Sequence, residues 1–168
     1  MTPTRLFLLD ANVLMTAARL YYAFDIVPTF WSSLNSKAGT GNLRSIDRVQ
    51  DEINRGDDEL VTWANAAFLD YFVKTDTQDV LQAYARIIGW SQEQHHYSSA
   101  LLQSFARFEH ADPWLVAYAI THNAVVVTLE LPNPATRKKI PLPLVCEAFG
   151  VSWLNTFDML RESQIRLG

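Results

Sequence analysis

Asp10 closes the short apolar run Arg5-Leu-Phe-Leu-Leu9, and Glu130 lies two residues beyond Thr128, the end of the run Ala124-Val-Val-Val-Thr128. Ligands of open parallel sheets sit outside the carboxyl ends of the strands. If these two runs are neighbouring strands, the two carboxylates face one another. Asp112 opens the helix that leads into the second run, so it belongs at one end of the sheet, and the topology decides which. Glu52 borders the stripe formed by Ile46, Val49 and Ile53 at ~100° per residue, while Asp51 lies roughly opposite that stripe. Four carboxylates that converge repel one another unless some are protonated or divalent cations neutralise them. An oxygen-only ligand set suits Mg²⁺ or Mn²⁺ rather than Zn²⁺, and no Cys/His pair at zinc spacing competes. Taken singly, each acid has an ordinary reading: Asp10 and Asp112 as helix N-caps, Glu52 as a solvated helix-border acid, Glu130 as a loop residue. Their joint placement is what points to a cation site.

Other candidates for chemistry are weaker. His95 and His96 sit in a polar stretch and read as surface, His122 reads as structural, and His110 stands close enough to Asp112 to support it from behind. Cys146, within Leu144-Val-Cys-Glu-Ala, reads as a small buried residue. There is no nucleophile-elbow pattern, and Gly39-Thr-Gly41 lacks the context of a phosphate-binding loop. The aromatic pairs Tyr21-Tyr22 and Phe30-Trp31 read as core.

The elements that must position the acids alternate in type. The first strand flows through Asp10 into a helix over 11–20, and Pro28 opens a second helix that Gly39 to Gly41 breaks. A short strand over 42–45 precedes a helix from Ile46 to about Arg55, with Gly56 as its stop. Leu60 to Phe68 is helical, and Asp76 to Phe108 is mainly helical with an interruption predicted near Gly89-Trp90. Asp112-Pro113 reads as an N-cap and first-turn proline ahead of an all-round apolar helix, Trp114 to Ile120. Val125-Val126-Val127 is β-branched and continuous, as a parallel strand buried on both faces requires. A basic, proline-rich loop from Leu131 to Pro143, a short helix to Phe149, a strand over 151–154 and a last helix from Thr156 follow. This order predicts an α/β protein, a three-layer α/β/α sandwich around a parallel sheet.

The chain has 168 residues, 49% hydrophobic and 19% charged, which suits a single domain over 1–168, since domains run to ~100–200 residues. Its net charge is −4, and twelve of the 18 acidic groups fall within 51–132, so bulk positive charge does not hold a nucleic acid here. A phosphate ligand would need a divalent metal or a local basic patch such as Arg137-Lys138-Lys139. The longest wholly apolar runs fall far short of the ~20 residues of a spanning helix, so no membrane partner is expected. The lone Cys146 and the lack of a leader pattern lead us to expect a cytoplasmic protein.

At Leu9-Asp10-Ala11-Asn12, Glu52, Ala111-Asp112-Pro113 and Val127-Thr128-Leu129-Glu130, in that order and spacing, the chain resembles PIN-domain proteins, the nuclease fold used by VapC-type toxins. The similarity runs through nearly the whole chain. It is nearest to an uncharacterised branch marked by Tyr21-Tyr-Ala-Phe-Asp25, Pro28-Thr-Phe-Trp31, Asp57-Asp-Glu-Leu60 and Lys139-Ile-Pro141 followed by Val145-Cys146. The resemblance implies a parallel sheet of order 3-2-1-4-5 and metal-dependent hydrolysis of RNA by one or two ions, ~3.5–4 Å apart when two are bound. Asp10, Glu52, Asp112 and Glu130 take the positions of the family's metal-binding acids. Asp10 and Asp112 would be primary ligands, Glu52 a ligand or water-orienting base, and Glu130 a ligand of the weaker site, although the family commonly has Asp there. Asn12 matches the polar residue after the first acid and Thr128 the hydroxyl before the last, and Arg137, Lys138 and Lys139 would hold the RNA backbone. A type II toxin further implies a cognate antitoxin and a homodimer. The competing readings are a non-catalytic RNA- or protein-binding module of the same fold and a phosphatase of the haloacid-dehalogenase type. The phosphatase needs a second Asp where Asn12 stands.

Overall fold

A computed structural model describes residues 5–168. Five short strands, β1 Phe7–Leu9, β2 Leu43–Ile46, β3 Phe72–Val73, β4 Val125–Val127 and β5 Trp153–Leu154, form one sheet in the order 3-2-1-4-5, with every neighbouring pair parallel. β1 lies at the centre, with Phe7 opposite Leu43 on one side and Val125 on the other. All three residues of β1 and all three of β4 are buried, so both faces of the central strands are covered. That is the burial their unbroken apolar sequences anticipate, because a parallel sheet is sandwiched between helices. The buried side chains form one continuous cluster.

The helices are α1 Ala11–Thr16, α2 Pro28–Gly39, α3 Asp47–Ile53, α4 Glu59–Ala64, α5 Gln78–Gln92, α6 Ser99–Phe105, α7 Ala111–His122, α8 Leu142–Ala148 and α9 Thr156–Glu162. α1 continues into a π-helical turn, Ala17–Tyr21, so its predicted extent holds while its last turn widens. α7 is buried from Ala111 to Ala119, as an all-round apolar helix must be, and packs along α5. Tyr84 of α5 stacks on Trp114 of α7 with ring centroids 3.8 Å apart. Asn123 takes a left-handed conformation (φ 51°) that ends α7, and the chain turns at once into β4. α7 therefore runs back along the sheet, and its first turn lies at the carboxyl end of β4, where β1 also ends.

Three expectations need correction. α5 passes through Gly89-Trp90 without a break: Trp90 packs edge-on against Phe149 at 5.6 Å, and the chain leaves the helix only after Gln92. One isolated glycine does not end a helix that tertiary packing supports. The stretch after Leu60 leaves helical geometry at Asn65, where a 3₁₀ turn at Leu69–Tyr71 leads into the unanticipated strand β3. Of the aromatic pairs read as core, Phe30 and Trp31 are buried, with Trp31 edge-on to Trp63 at 4.8 Å, and Tyr22 packs against the core, but Tyr21 is 63% exposed and corrects that expectation. Among the described residues no helix is long and apolar enough to cross a membrane.

Candidate metal centre

Asp10 follows β1 directly and extends its ladder, its N–H donating to the Val127 carbonyl at 3.0 Å. It occupies the N-cap position of α1, yet its side chain accepts no capping hydrogen bond. The carboxylate turns instead into the protein, 4% exposed, and accepts from the Thr128 hydroxyl at 2.8 Å. Thr128 is wholly buried, and its oxygen accepts from the Glu130 N–H at 3.2 Å and the Asn12 amide at 3.4 Å. With both incoming contacts made by donors, the hydroxyl proton is committed to Asp10. Asn12 also accepts from the Leu129 N–H at 3.2 Å. Together these bonds fix the bend after β4 that delivers Glu130, with Asn12 and Thr128 holding the segment that bears the acids.

Asp112 corrects a further expectation. The N-cap of α7 is His110, so Asp112 lies inside the first turn, where its carboxylate is free to project from the helix end. It is 6% exposed. Its Oδ2 is buried without a hydrogen bond, although the Lys139 ammonium stands 3.2 Å away and the His110 imidazole 3.5 Å away in ion-pair contacts. A buried carboxylate oxygen in this condition is costly unless a cation claims it. Glu130 is less buried; its Oε2 accepts from the Leu142 N–H at 2.8 Å and its Oε1 meets the Lys139 ammonium.

One carboxylate oxygen each from Asp10, Asp112 and Glu130 lie within 4.8 Å of one another. Glu52, on α3, is half-buried and stands outside that group, although it is near enough for Asp112 to raise its proton affinity in addition to burial. Burial, reinforced by the Asp112 charge, pushes the Asp10 carboxyl well above the usual range, against the opposing pull of the Thr128 hydrogen bond. Burial also pushes Asp112 upward, but His110 and Lys139 outweigh it and hold it below the usual range. His110 in turn is raised despite burial, because Asp112 favours its cation. The donor set is all oxygen, buried and only partly satisfied, which fits a hard divalent cation.

The basic loop divides. Arg137 and Lys138 are exposed, with the Arg137 guanidinium donating to the carbonyls of Pro134 and Thr136 at 3.0 and 3.1 Å. Lys139 turns inward to the acids. Its neighbours Ile140 and Leu142 are 1% and 0% exposed, and they anchor the loop so that the lysine faces the centre. Apolar anchors beside one lysine of a basic run are the signal a sequence reading had available. Cys146 is buried and burial pushes its thiol upward, which leaves it inert as a nucleophile. His122 stacks on Tyr118 at 4.0 Å, and His95 and His96 are exposed.

The Thr128 hydroxyl makes a prediction. Thr128→Val keeps the shape and deletes the donor to Asp10 and the acceptor for two N–H groups, so it is expected to cost about 1–3 kcal/mol of stability. Thr128→Ser is expected to restore most of it. Urea unfolding of the two variants checks this, and equal midpoints would remove the hydroxyl from the account.

A parallel sheet of order 3-2-1-4-5 flanked by helices is a PIN-like fold. By sequence, the chain belongs to the family described as "Domain of unknown function (DUF4411)", which it matches over residues 7–167. The crystal structure of FitAcB from Neisseria gonorrhoeae is similar in fold, with a TM-score of 0.53 at 16% identity, covering 90% of this chain and 99% of that one. The crystal structure of VapBC2 from Rickettsia felis, bound to a DNA fragment from their promoter, aligns with a TM-score of 0.46 at 16% identity, covering 89% and 98%. No curated protein sequence matches the chain.

Proposed function

We propose that this chain is a Mg²⁺- or Mn²⁺-dependent endoribonuclease, the toxin of a type II toxin–antitoxin pair. The observation that carries the reading is the convergence of Asp10, Asp112 and Glu130 within 4.8 Å around a buried Asp112 oxygen that has no hydrogen bond. A divalent cation in such a site supplies Lewis acidity toward a phosphodiester and makes water a nucleophile at neutral pH. Asp10 and Asp112 would hold it from two separate elements, with Asp10 oriented by Thr128. Glu52, half-buried on α3 near Asp112, would take a proton from the attacking water. Arg137 and Lys138 are exposed on the loop beside the acids, where RNA phosphates would pass. The chain would work as one domain.

Leu20, Tyr21 and Ile26 are 74%, 63% and 76% exposed, a concentration of apolar surface suited to a protein partner, either an antitoxin or a second copy.

The reading is tested by incubating purified protein with a mixed RNA pool in Mn²⁺, in EDTA, and with Asp10→Asn as the contamination control. Cleavage present only with Mn²⁺ and wild-type protein is the expected result. Cleavage that persists in EDTA or in the variant would sink the metal mechanism, and Mn²⁺ binding without cleavage of any RNA would favour the non-catalytic module.

A further inference from the structure

The Lys139 ammonium bridges Asp112 Oδ2, at 3.2 Å, and Glu130 Oε1. It reaches them from a loop whose next residue, Ile140, is buried, and Glu130 clasps the same loop through the Leu142 N–H. Both oxygens of Glu130 are therefore engaged by the loop, one by an ammonium and one by a backbone donor. Asp10, by contrast, has no ion pair among the described residues, and its carboxylate accepts from the Thr128 hydroxyl alone. The arrangement has two unlike halves, one already holding a cation and one that does not.

Charge balance separates them further. The loop already supplies one positive charge in direct contact with two of the three carboxylates, so less charge is left for metal to supply. A second divalent ion placed between Asp112 and Glu130 would stand against the ammonium that already bridges them, and like charges so close repel. A lysine ammonium is a compact point charge on a flexible stem, well suited to stand in an ion's place between two carboxylates.

We propose that Lys139 occupies the position of a second metal ion, so that the centre binds one divalent cation, between Asp10 and Asp112, with the ammonium as its fixed companion. Glu130 then serves to hold Lys139 rather than to ligate an ion. This inference rests on the metal-dependent reading of the same site. It also separates Lys139 from Arg137 and Lys138: the lysine meets the substrate, if at all, from inside the acid cluster.

The test is the stoichiometry of Mn²⁺ binding, measured by isothermal titration and by native mass spectrometry on the intact chain. Wild type is expected to bind one ion, Lys139→Met two, and Lys139→Arg one. Lys139 is 45% exposed on a loop, so the variants should fold, and circular dichroism of Lys139→Met and Lys139→Gln verifies this. Two ions in wild type, or one in folded Lys139→Met, would overturn the proposal while the metal reading stood. No Mn²⁺ bound by wild type or by either neutral variant would overturn both.

Discussion

Asp10→Asn is expected to abolish RNA cleavage and, in the same protein, to remove the rise in melting temperature that Mn²⁺ gives the wild type. Residues that merely orient metal ligands contribute about 10–100-fold to affinity or activity, so loss of a carboxylate at the heart of the centre should exceed about 100-fold. At a hundredfold excess over Kd, an ion that binds only the folded state stabilises it by about 2.7 kcal/mol. For a chain of this size each kcal/mol moves Tm by about 2–4 °C, so the wild-type rise is readily measured. The variant carries a second signature. Asn keeps an acceptor for the Thr128 hydroxyl but removes a buried charge that faces Asp112 and Glu130. Because burial raises the Asp10 carboxyl in the folded state, its favourable contribution is complete below the ordinary carboxyl range and is lost as pH rises through the elevated folded value. At neutral pH without metal, Asp10→Asn should therefore melt above wild type, and the gap should close as the pH is lowered. Thermal scans with Mn²⁺ and with EDTA at two pH values check both signs, and a variant that keeps the Mn²⁺ shift would contradict the site.

Trp114→Ala should produce the largest loss of stability. Trp114 is 0% exposed, stacks on Tyr84, meets Phe108 edge-on at 5.4 Å and lies beneath the Arg48 guanidinium at 4.4 Å, while its indole N–H donates to the Phe108 carbonyl at 3.0 Å. Removing a buried Trp costs about 3–5 kcal/mol when the cavity cannot collapse. Here the wall opposite is a helix packed along α7, which leaves little room to close. Tm should fall by roughly 10 °C or more. Phe157→Ala, on a side chain 51% exposed, should change stability by no more than about 0.5 kcal/mol and serves as the aromatic control. Trp114 lies two residues beyond Asp112, so Mn²⁺ affinity is expected to weaken as well. Similar melting of the two variants would show that the α5–α7 interface is not where the stability resides.

The legible parts of the molecule were those where one local pattern settles the outcome. β1 and β4 are short, but each is wholly apolar and buried on both faces, and each ends beside an acid. That juxtaposition placed Asp10 and Glu130 at the sheet's edge before any topology was known. β3 left no such trace, because two residues that pair with Ser45 and Ile46 have no periodicity of their own. Asp112-Pro113 was misread by two residues because the helix begins at Ala111, ahead of the residue that looks most like its cap, and only the backbone of His110 and Ala111 decides. The inward turn of Lys139 depends on where Ile140 and Leu142 find a buried place, a matter of packing between segments far apart in the chain. Nothing in the run Arg137-Lys138-Lys139 itself distinguishes the lysine that enters the centre from the two residues that stay outside.

The hydrogen bond between Asp10 and Thr128 joins positions 118 residues apart, and the strands that bear them are adjacent at the middle of the sheet. During synthesis the first acid emerges and waits, for Asp112 follows only 102 residues later and the orienting hydroxyl 118 residues later. The loop that brings Lys139 to Glu130 and Asp112 comes later still. Contacts this distant in sequence are slow to form because a long loop must close before any of them is rewarded. A nascent chain that has not yet reached Lys139 therefore has no assembled acid centre, and the order in which the ribosome delivers these residues sets when the centre can first form.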